Sequence, residues 1–159
     1  MIELPEMILD RRPEARPLPE GVTLRRVVDS SGIRDFVAVV EEAFEDEPPF
    51  KGMVRTAFAE PGSLLAPDTS GFVSYLGGVP MSAAMTYVSE GVALVAWVST
   101  RESARRRGLG DAVTRAATNA GFDLGARVAS LQAAPMGLPV YEKMGYREIS
   151  KYRMYSPPG

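Results

Sequence analysis

The stretch from residue 92 to residue 120 constrains the fold more than any other part of the chain. The apolar, β-branched run VALVAWVST (92–100) predicts a buried strand. The loop ARRRGLGDA (104–112) follows with three arginines and two glycines, and apolar residues at helical spacing begin at Leu109. A strand, a basic glycine-containing loop and a helix in succession predict an α/β fold with this loop at a helix N-terminus.

This loop combines three features that suit a diphosphate. A helix N-terminus presents unpaired N–H groups and a partial positive charge. Glycines at Gly108 and Gly110 let the backbone approach an anion closely, and the arginines at 105–107 add donors. Val113 stands where the dinucleotide fingerprint needs a third glycine, and the Gly-Lys-Ser/Thr of a Walker A loop is missing. Taken alone, the loop is equally compatible with a solvated basic turn.

The rest of the chain predicts a single α/β domain built on a mixed sheet. Four prolines among charges in residues 1–20 predict an irregular N-terminal arm that lies over the domain or is partly disordered, and the domain then spans residues 21–159. The glycines at 77–78 predict a hairpin turn. The further predicted strands are 22–28, 71–76, 80–88, 127–134 and 147–156, and the further predicted helices are 33–44, 50–61 (the weakest) and 137–146.

The composition excludes several classes of chemistry. The chain has no cysteine and no histidine, which excludes a disulfide, a cysteine nucleophile, the Ser-His-Asp triad and the usual zinc ligand sets. We therefore expect no metal. The net charge of −2 argues against a nucleic-acid-binding protein. No apolar run approaches the ~20 residues of a membrane span and the N-terminus lacks a signal-peptide pattern, so we expect a cytoplasmic enzyme or binding protein without a membrane partner.

Two linked segments resemble the GCN5-related N-acetyltransferase (GNAT) superfamily: WVSTRESARRRGLGDAVTRAA and LQAAPMGLPVYEKMGYRE. Arg105, Gly108 and Gly110 match the family element R/Q-x-x-G-x-G/A, and Tyr141 with Gly145-Tyr146 matches the element lYekxGF. The detailed resemblance covers roughly residues 72–152. It implies the acyl-CoA N-acyltransferase fold, in which a mixed, mostly antiparallel sheet with flanking helices splays between its fourth and fifth strands.

The resemblance also implies acetyl-CoA as co-substrate and a site for it. The implied cofactor-binding residues are Val98, Ser99, Thr100, Arg105, Arg106, Arg107, Gly108, Leu109, Gly110 and Asp111. The family reaction is direct attack of an amine on the thioester in a ternary complex. Tyr141 is then the candidate catalytic acid for the leaving thiolate, with a core tyrosine as the alternative, and the Val98 N–H is the candidate oxyanion donor. We expect Trp97 to face a helix as a core residue, with a position that lines the cleft as the alternative. We expect Tyr146 to pack in the core.

The sequence assigns no general base. Many relatives carry a glutamate on the fourth strand, but residues 92–100 contain no carboxylate. Water relayed by Ser99 or Thr100 is one alternative. Ala134 stands where relatives often have a polar residue near the cofactor, which implies one side-chain hydrogen bond fewer. Carboxylates at the position of the family's acceptor-site wall are a further alternative, although a solvated helix end explains them as well; they are Glu41, Glu42, Glu45, Asp46 and Glu47.

The leading function is therefore an N-acetyltransferase acting on a small-molecule or peptide amine. The alternative is a non-catalytic acyl-CoA sensor of the same fold, which the missing carboxylate in residues 92–100 favours. Nucleic-acid binding through Arg101 and the arginines at 105–107 is a weak third hypothesis, because the sequence lacks a broad basic face with stacking aromatics. The resemblance also admits a homodimer.

Overall fold

The structure, a computed structural model, describes residues 1–44 and 52–155. The described residues form one seven-stranded sheet with four α-helices. The strands are β1 (Ile2–Leu9), β2 (Val22–Arg26), β3 (Thr69–Leu76), β4 (Val79–Ser89), β5 (Val92–Thr100), β6 (Val128–Gln132) and β7 (Arg147–Met154). The helices are α1 (Ser30–Phe44), α2 (Met53–Ala57), α3 (Leu109–Asp123) and α4 (Leu138–Met144). None of these helices has the length and apolar character needed to cross a membrane.

The sheet has the order β2-β3-β4-β5-β6-β1-β7, and every neighbouring pair is antiparallel except β5 and β6. The parallel register of β5 with β6 runs from Val92↔Val128 to Leu94↔Ser130, and β5 continues for six more residues. The two strands therefore separate after Leu94 and leave a gap in the sheet. The predicted mixed sheet with a splay is confirmed; the splayed strands count as fifth and sixth here because β1 precedes them.

The prediction of an irregular arm over residues 1–20 is wrong for residues 2–9. They form β1, which lies between β6 and β7 and pairs with both. The pairing to β6 starts at Glu6, next to Pro5, whose carbonyl accepts the Ala133 N–H at 2.9 Å. A proline is tolerated there because no ladder bond from its nitrogen is needed. Pro5 thus lies at the limit of the pairing with β6 and within the pairing with β7, and the other three prolines lie beyond the strand.

Residues 11–19, the crossing segment, run across α3 from its C-terminal end to its N-terminal end. Arg12 donates to the Asn119 carbonyl and, at 2.6 Å, to the Asp123 carboxylate. At the other end, Pro19 lies so close to Gly108 that an added Cβ on the glycine would be 2.9 Å from the proline ring. The crossing segment therefore links the N-terminal strand to the loop that precedes α3.

The helices cover opposite faces of the sheet. Ala83 packs in a core cluster with α1 and α2, and Ala84, the next residue of β4, packs in a cluster with α3 and α4. Successive side chains of a strand point to opposite faces, so these two clusters lie on either side of the sheet. An added Cβ on Gly121 of α3 would lie 2.4 Å from the Ala93 Cβ, which shows how closely this helix approaches β5.

Most predicted elements are confirmed, with local adjustments. Asp29 caps α1, since its carboxylate accepts the Gly32 N–H at 2.9 Å. The hairpin of β3 and β4 turns at the predicted glycines. The weak helix predicted over 50–61 is shorter, with α2 at Met53–Ala57, and residues 50–51 lie outside the described residues. Gly145, with φ of 106°, ends α4 as predicted.

Candidate active site

The strand β5 is interrupted by a β-bulge at Trp97. Its register with β4 changes between Ala83 and Met85, and Trp97 adopts a left-handed backbone conformation with φ of 55°. Such a conformation costs a non-glycine residue on the order of 1–3 kcal/mol. The Trp97 ring packs edge-on against Phe44 and Phe58, with centroids 5.6 and 5.5 Å apart, and this packing holds the bulge in place. The prediction that Trp97 faces a helix is confirmed.

The bulge determines which main-chain groups of β5 face the gap. The Arg101 N–H donates to the Met81 carbonyl at 2.9 Å. Because alternate residues of a strand direct their main-chain groups to the same side, Ser99 and Arg101 both point towards β4. Val98 and Thr100 therefore direct their N–H and carbonyl groups into the gap between β5 and β6. This edge can pair with an extended ligand.

The loop between β5 and α3 has two residues with left-handed backbone, Arg106 with φ of 59° and Gly108 with φ of 82°. Left-handed residues set among right-handed or extended ones make successive N–H groups converge on one point. Gly108 directly precedes Leu109, the first residue of α3, so the positive end of the helix dipole adds to this field. A Cβ on Gly110 would lie 3.2 Å from the Thr100 hydroxyl oxygen, so the loop packs closely on the end of β5. This is the geometry of an anion-binding turn.

The three arginines of the loop occupy different positions. Arg105 Nε donates to the Thr100 carbonyl at 3.2 Å, so this side chain folds back and braces the loop. Arg106 is exposed and lines the cleft described below, whereas the exposed Arg107 does not line it. Leu109 is 1% exposed and packs in the core. Of the predicted site residues, Arg107 and Leu109 therefore do not line the cleft.

These elements enclose a cleft of about 270 Å³. The sequence-predicted site residues that line it are Val98, Ser99, Thr100, Arg105, Arg106, Gly108, Gly110, Asp111 and Tyr141. Ala134, which the sequence places near the cofactor, also lines the cleft. Small or apolar residues complete the wall and had no chemical signal in the sequence; they are Ala43, Phe44, Thr114, Met136, Gly137 and Val140. The structure thus brings the β5 edge, the glycine loop and Tyr141 around one space.

Tyr141 lies on α4 and is 7% exposed. Its ring lies against the backbone of Gly137, where an added Cβ would come within 2.6 Å of the ring. Burial raises the pKa of Tyr141 to about 12, so the phenol is protonated at neutral pH. Over residues 1–44 and 52–155 its hydroxyl has no hydrogen-bond partner. A protonated donor without an internal acceptor therefore borders the cleft.

Tyr146 has a different environment, although its ring centroid is 6.2 Å from that of Tyr141. It is 3% exposed, and its hydroxyl shares a hydrogen bond of 2.7 Å with the Thr118 hydroxyl. Burial raises the pKa of Tyr146, and the Thr118 hydrogen bond lowers it by a smaller amount. The prediction that Tyr146 packs in the core is confirmed.

The candidate bases of the acceptor-site wall do not line this cleft where the structure describes them. Glu41 pairs with Arg55, and Glu42 pairs with Arg101 at 3.1 Å; neither glutamate lines the cleft. Glu45, Asp46 and Glu47 lie outside the described residues. In the described part of the chain, no three acidic side chains form a group that could hold a metal ion.

Comparison with known proteins identifies relatives of this fold. A sequence model of the acetyltransferase (GNAT) domain matches residues 25–149 of the chain. A GCN5-related N-acetyltransferase from Kribbella flavida is 27% identical, with a TM-score of 0.72, over 94% of this chain and 56% of that one. A second, from Sphaerobacter thermophilus, is 21% identical, with a TM-score of 0.75, over 94% and 49%. A predicted acetyltransferase with acetyl-CoA from Clostridium acetobutylicum is 15% identical, with a TM-score of 0.66, over 85% and 96%.

The chain spans about half the length of the first two of these solved proteins. The likeness to the proteins from Sphaerobacter thermophilus and Clostridium acetobutylicum is a likeness of fold. No curated protein matches the chain in sequence.

Proposed function

Because the chain belongs to the GNAT acetyltransferase family, as the match over residues 25–149 shows, we propose that it moves the acetyl group of acetyl-CoA to an amine. The acceptor is a small-molecule or peptide amine. The observation that carries this proposal is the single cleft that combines three parts. They are the edge of β5 that faces the gap, the turn before α3 and the hydroxyl of Tyr141, which has no hydrogen-bond partner among the described residues.

The turn before α3 holds the diphosphate of acetyl-CoA in this proposal. The N–H groups of residues 106–110 donate to the phosphate oxygens, and the helix dipole favours their negative charge. Arg106 adds a charge-assisted donor from the cleft wall. Hydrogen bonds to a charged group contribute about 1.5–3 kcal/mol each, so several main-chain donors together should outweigh the single Arg106 side chain.

The edge of β5 holds the pantetheine arm. Val98 directs its N–H and carbonyl groups into the gap and Thr100 its N–H group, since the Thr100 carbonyl accepts from Arg105. The amides of the arm pair with these groups as an added strand would. Ser99 lies between these two residues, and its carbonyl accepts a 2.7 Å hydrogen bond from the Ser82 hydroxyl. This bond fixes the backbone between the two groups that contact the arm. The thioester then lies near the bulge that Trp97 creates.

The reaction is direct attack of the amine nitrogen on the thioester carbonyl. The nitrogen–carbon bond forms, negative charge develops on the carbonyl oxygen, and the carbon–sulfur bond then breaks to release the thiolate. The Val98 N–H, held rigidly by the bulge, stabilises that oxyanion, a role for which one donor is worth about 10²–10³-fold in rate. The amide product leaves after its nitrogen loses the extra proton.

Tyr141 donates its phenolic hydrogen to the sulfur as charge develops there. The thiol of a cysteine has a pKa near 8.5, so complete transfer from a phenol with a pKa of about 12 is unfavourable by about three to four pKa units. We therefore assign Tyr141 the role of a hydrogen-bond donor to the leaving thiolate. The proton that neutralises the thiolate comes from the ammonium formed in the attack.

The attacking amine needs a path for its own proton before it can react. Asp111 is the one carboxylate among the described residues of the cleft wall, and Arg115 holds it as an ion pair at 2.8 Å. We propose that the amine loses this proton to water in the open cleft. The rate constant should then rise with pH until the substrate amine itself is neutral.

The proposal is tested by calorimetric titration with acetyl-CoA and by thiol release with a panel of peptides, polyamines, amino acids and aminoglycosides. We expect acetyl-CoA binding, and CoA release that depends on one class of amine. A Gly110→Glu variant is the control, because its side chain adds bulk and negative charge beside Thr100. Binding without release from any amine would instead favour the acyl-CoA sensor, and absence of binding would refute both functions.

A further inference from the structure

A negative charge lies beside the proposed diphosphate-binding turn. Asp111 is the third residue of α3 and lines the same cleft as Gly108 and Gly110. A carboxylate in the first turn of a helix favours the helix itself. The same charge repels a diphosphate at the helix N-terminus, and it acts against the field that the turn creates. The turn can bind an anion well only when this carboxylate is compensated.

Arg115 supplies that compensation from one helical turn further along α3. Its Nε lies 2.8 Å from Oδ2 of Asp111, and its Nη2 lies 3.1 Å from Oδ1. This is the two-point contact that fits a guanidinium to a carboxylate. The Arg115 side chain is 9% exposed and that of Asp111 is 22% exposed, so water and salt screen the pair less than they would a surface pair.

The remaining nitrogen of Arg115 contacts the crossing segment. Nη1 donates to the Glu14 carbonyl at 2.7 Å, so each guanidinium nitrogen has an acceptor and the side chain is fixed. Arg16 of the same segment lies 3.9 Å from Asp111 and adds a second, weaker positive charge. A cavity of about 400 Å³ between the crossing segment and α3 shares Gly108 and Asp111 with the main cleft. The ion pair therefore forms part of the wall between the two spaces.

We propose that Arg115 is a positioning residue of the acetyl-CoA site, although it does not line the cleft itself. It neutralises Asp111 and holds the carboxylate towards the crossing segment, so that the turn presents a net positive field to the diphosphate. This inference rests on the proposed function, because it concerns the affinity of the same site for acetyl-CoA. Arg115 then raises the affinity for acetyl-CoA through its charge and not through its packing.

The test compares the affinity for acetyl-CoA, measured by calorimetry at low and at high salt, among five proteins: the wild type, Arg115→Gln, Asp111→Asn, the double variant and Arg12→Gln. Arg12→Gln is the matched control, because Arg12 also joins the N-terminal part of the chain to α3 but pairs with Asp123 at the far end of the helix. It removes one positive charge, as Arg115→Gln does, but leaves Asp111 paired with Arg115.

We expect Arg115→Gln to weaken binding at low salt by on the order of tenfold, since an uncompensated charge then faces the diphosphate. The loss should shrink at high salt, which screens charge and leaves packing defects unchanged. Asp111→Asn should bind more tightly than the wild type, because Arg115 then adds an unpaired positive charge beside the diphosphate. In the double variant the same substitution should restore most of the affinity that Arg115→Gln removes. Arg12→Gln should bind as the wild type does.

Two results would overturn the inference: wild-type affinity in Arg115→Gln, or a double variant as weak as Arg115→Gln. If Arg115→Gln does not fold, Asp111→Asn decides alone, because weaker or equal binding in that variant contradicts a repulsive role for the carboxylate and tighter binding supports it. Failure of the proposed function is distinguishable, since the wild type itself would then show no acetyl-CoA binding.

Discussion

Replacing Tyr141 with phenylalanine removes one hydroxyl and leaves the ring in contact with Gly137. The lost hydrogen bond forms only as charge develops on the sulfur, so kcat should fall while the affinity for acetyl-CoA stays nearly unchanged. Loss of one donor to a developing anion lowers kcat by about 10²–10³-fold. The assay is the single-turnover rate of CoA release from preformed enzyme–acetyl-CoA complex, because slow product release would hide the effect in steady state.

Tyr146→Phe is the matched control for this variant. It removes the hydroxyl of a neighbouring tyrosine, whose ring centroid lies 6.2 Å from that of Tyr141. This substitution breaks the 2.7 Å hydrogen bond with the Thr118 hydroxyl. A buried hydroxyl left without a partner costs about 1–3 kcal/mol of unfolding free energy. Tyr141→Phe breaks no hydrogen bond among the described residues, so its unfolding free energy should change by less than about 0.5 kcal/mol. Chemical denaturation measures both values.

The pH dependence of the unfolding free energy tests the burial of the Tyr141 hydroxyl independently of the reaction rate. Its pKa is raised from the usual 10.0 to about 12 by burial, so the unfolded chain loses this proton at a lower pH than the folded chain. The resulting stability is complete below pH 10 and is lost as the pH rises towards 12, a difference of about 2–3 kcal/mol. Tyr141→Phe should therefore unfold at a higher pH than the wild type in an alkaline titration.

Equal single-turnover rates in the wild type and a folded Tyr141→Phe variant would falsify the donor role.

Three further substitutions follow from the geometry. Gly110→Glu should abolish acetyl-CoA binding in calorimetry, and wild-type affinity there would place the diphosphate elsewhere. Arg106→Ala should weaken that binding by about 1–2 kcal/mol, because one exposed donor is lost and the main-chain groups remain; complete loss would mean that the side chain dominates. Gly121→Ala should lower the unfolding free energy by about 1–3 kcal/mol, because its Cβ would meet the Ala93 Cβ at 2.4 Å. Gly62→Ala, where an added Cβ meets nothing within 4 Å, is its control and should differ little from the wild type.

The elements that could be predicted from the sequence are those with local signals. The turn before α3 was predictable because Gly108 and Gly110 stand between a continuous apolar strand and a helical pattern. The end of α4 was predictable because Gly145 has the left-handed backbone that such a helix end favours. Trp97 was expected to face a helix, and its contacts with α1 confirm this. Each of these inferences needed only a few neighbouring residues.

The N-terminal strand could not be predicted in the same way, because its signal is not local. Residues 2–9 contain Pro5 and show weak alternation, and their partners lie more than 100 residues away in β6 and β7. Strand pairing over such a distance depends on where the sheet has an unpaired edge. Residues 2–9 do not themselves show where this edge lies, because it forms only when β6 and β7 have taken their positions in the sheet.

The general base was beyond the sequence for a different reason. A carboxylate can act as a base only if it reaches the attacking amine directly or through a water. Acidic residues at a helix end are equally common as a solvated surface. The structure shows Glu42 bound to Arg101 outside the cleft wall, where the ion pair joins the end of α1 to the end of β5. An acidic helix end in a sequence is therefore compatible with a catalytic base and with a solvated surface.

The environment of the predicted turn depends on the strand that was missed. Asp111 and Arg115 are four residues apart in a helix, so their ion pair was visible in the sequence, but such pairs usually lie on a solvated surface. The crossing segment joins β1 to β2, which the sheet order separates by four strands, and its Glu14 carbonyl accepts a hydrogen bond from Arg115. The same segment places Pro19 against Gly108, at the start of the helix. The turn is thus specified locally, while the charge that faces it is determined by tertiary contacts that only the complete sheet provides.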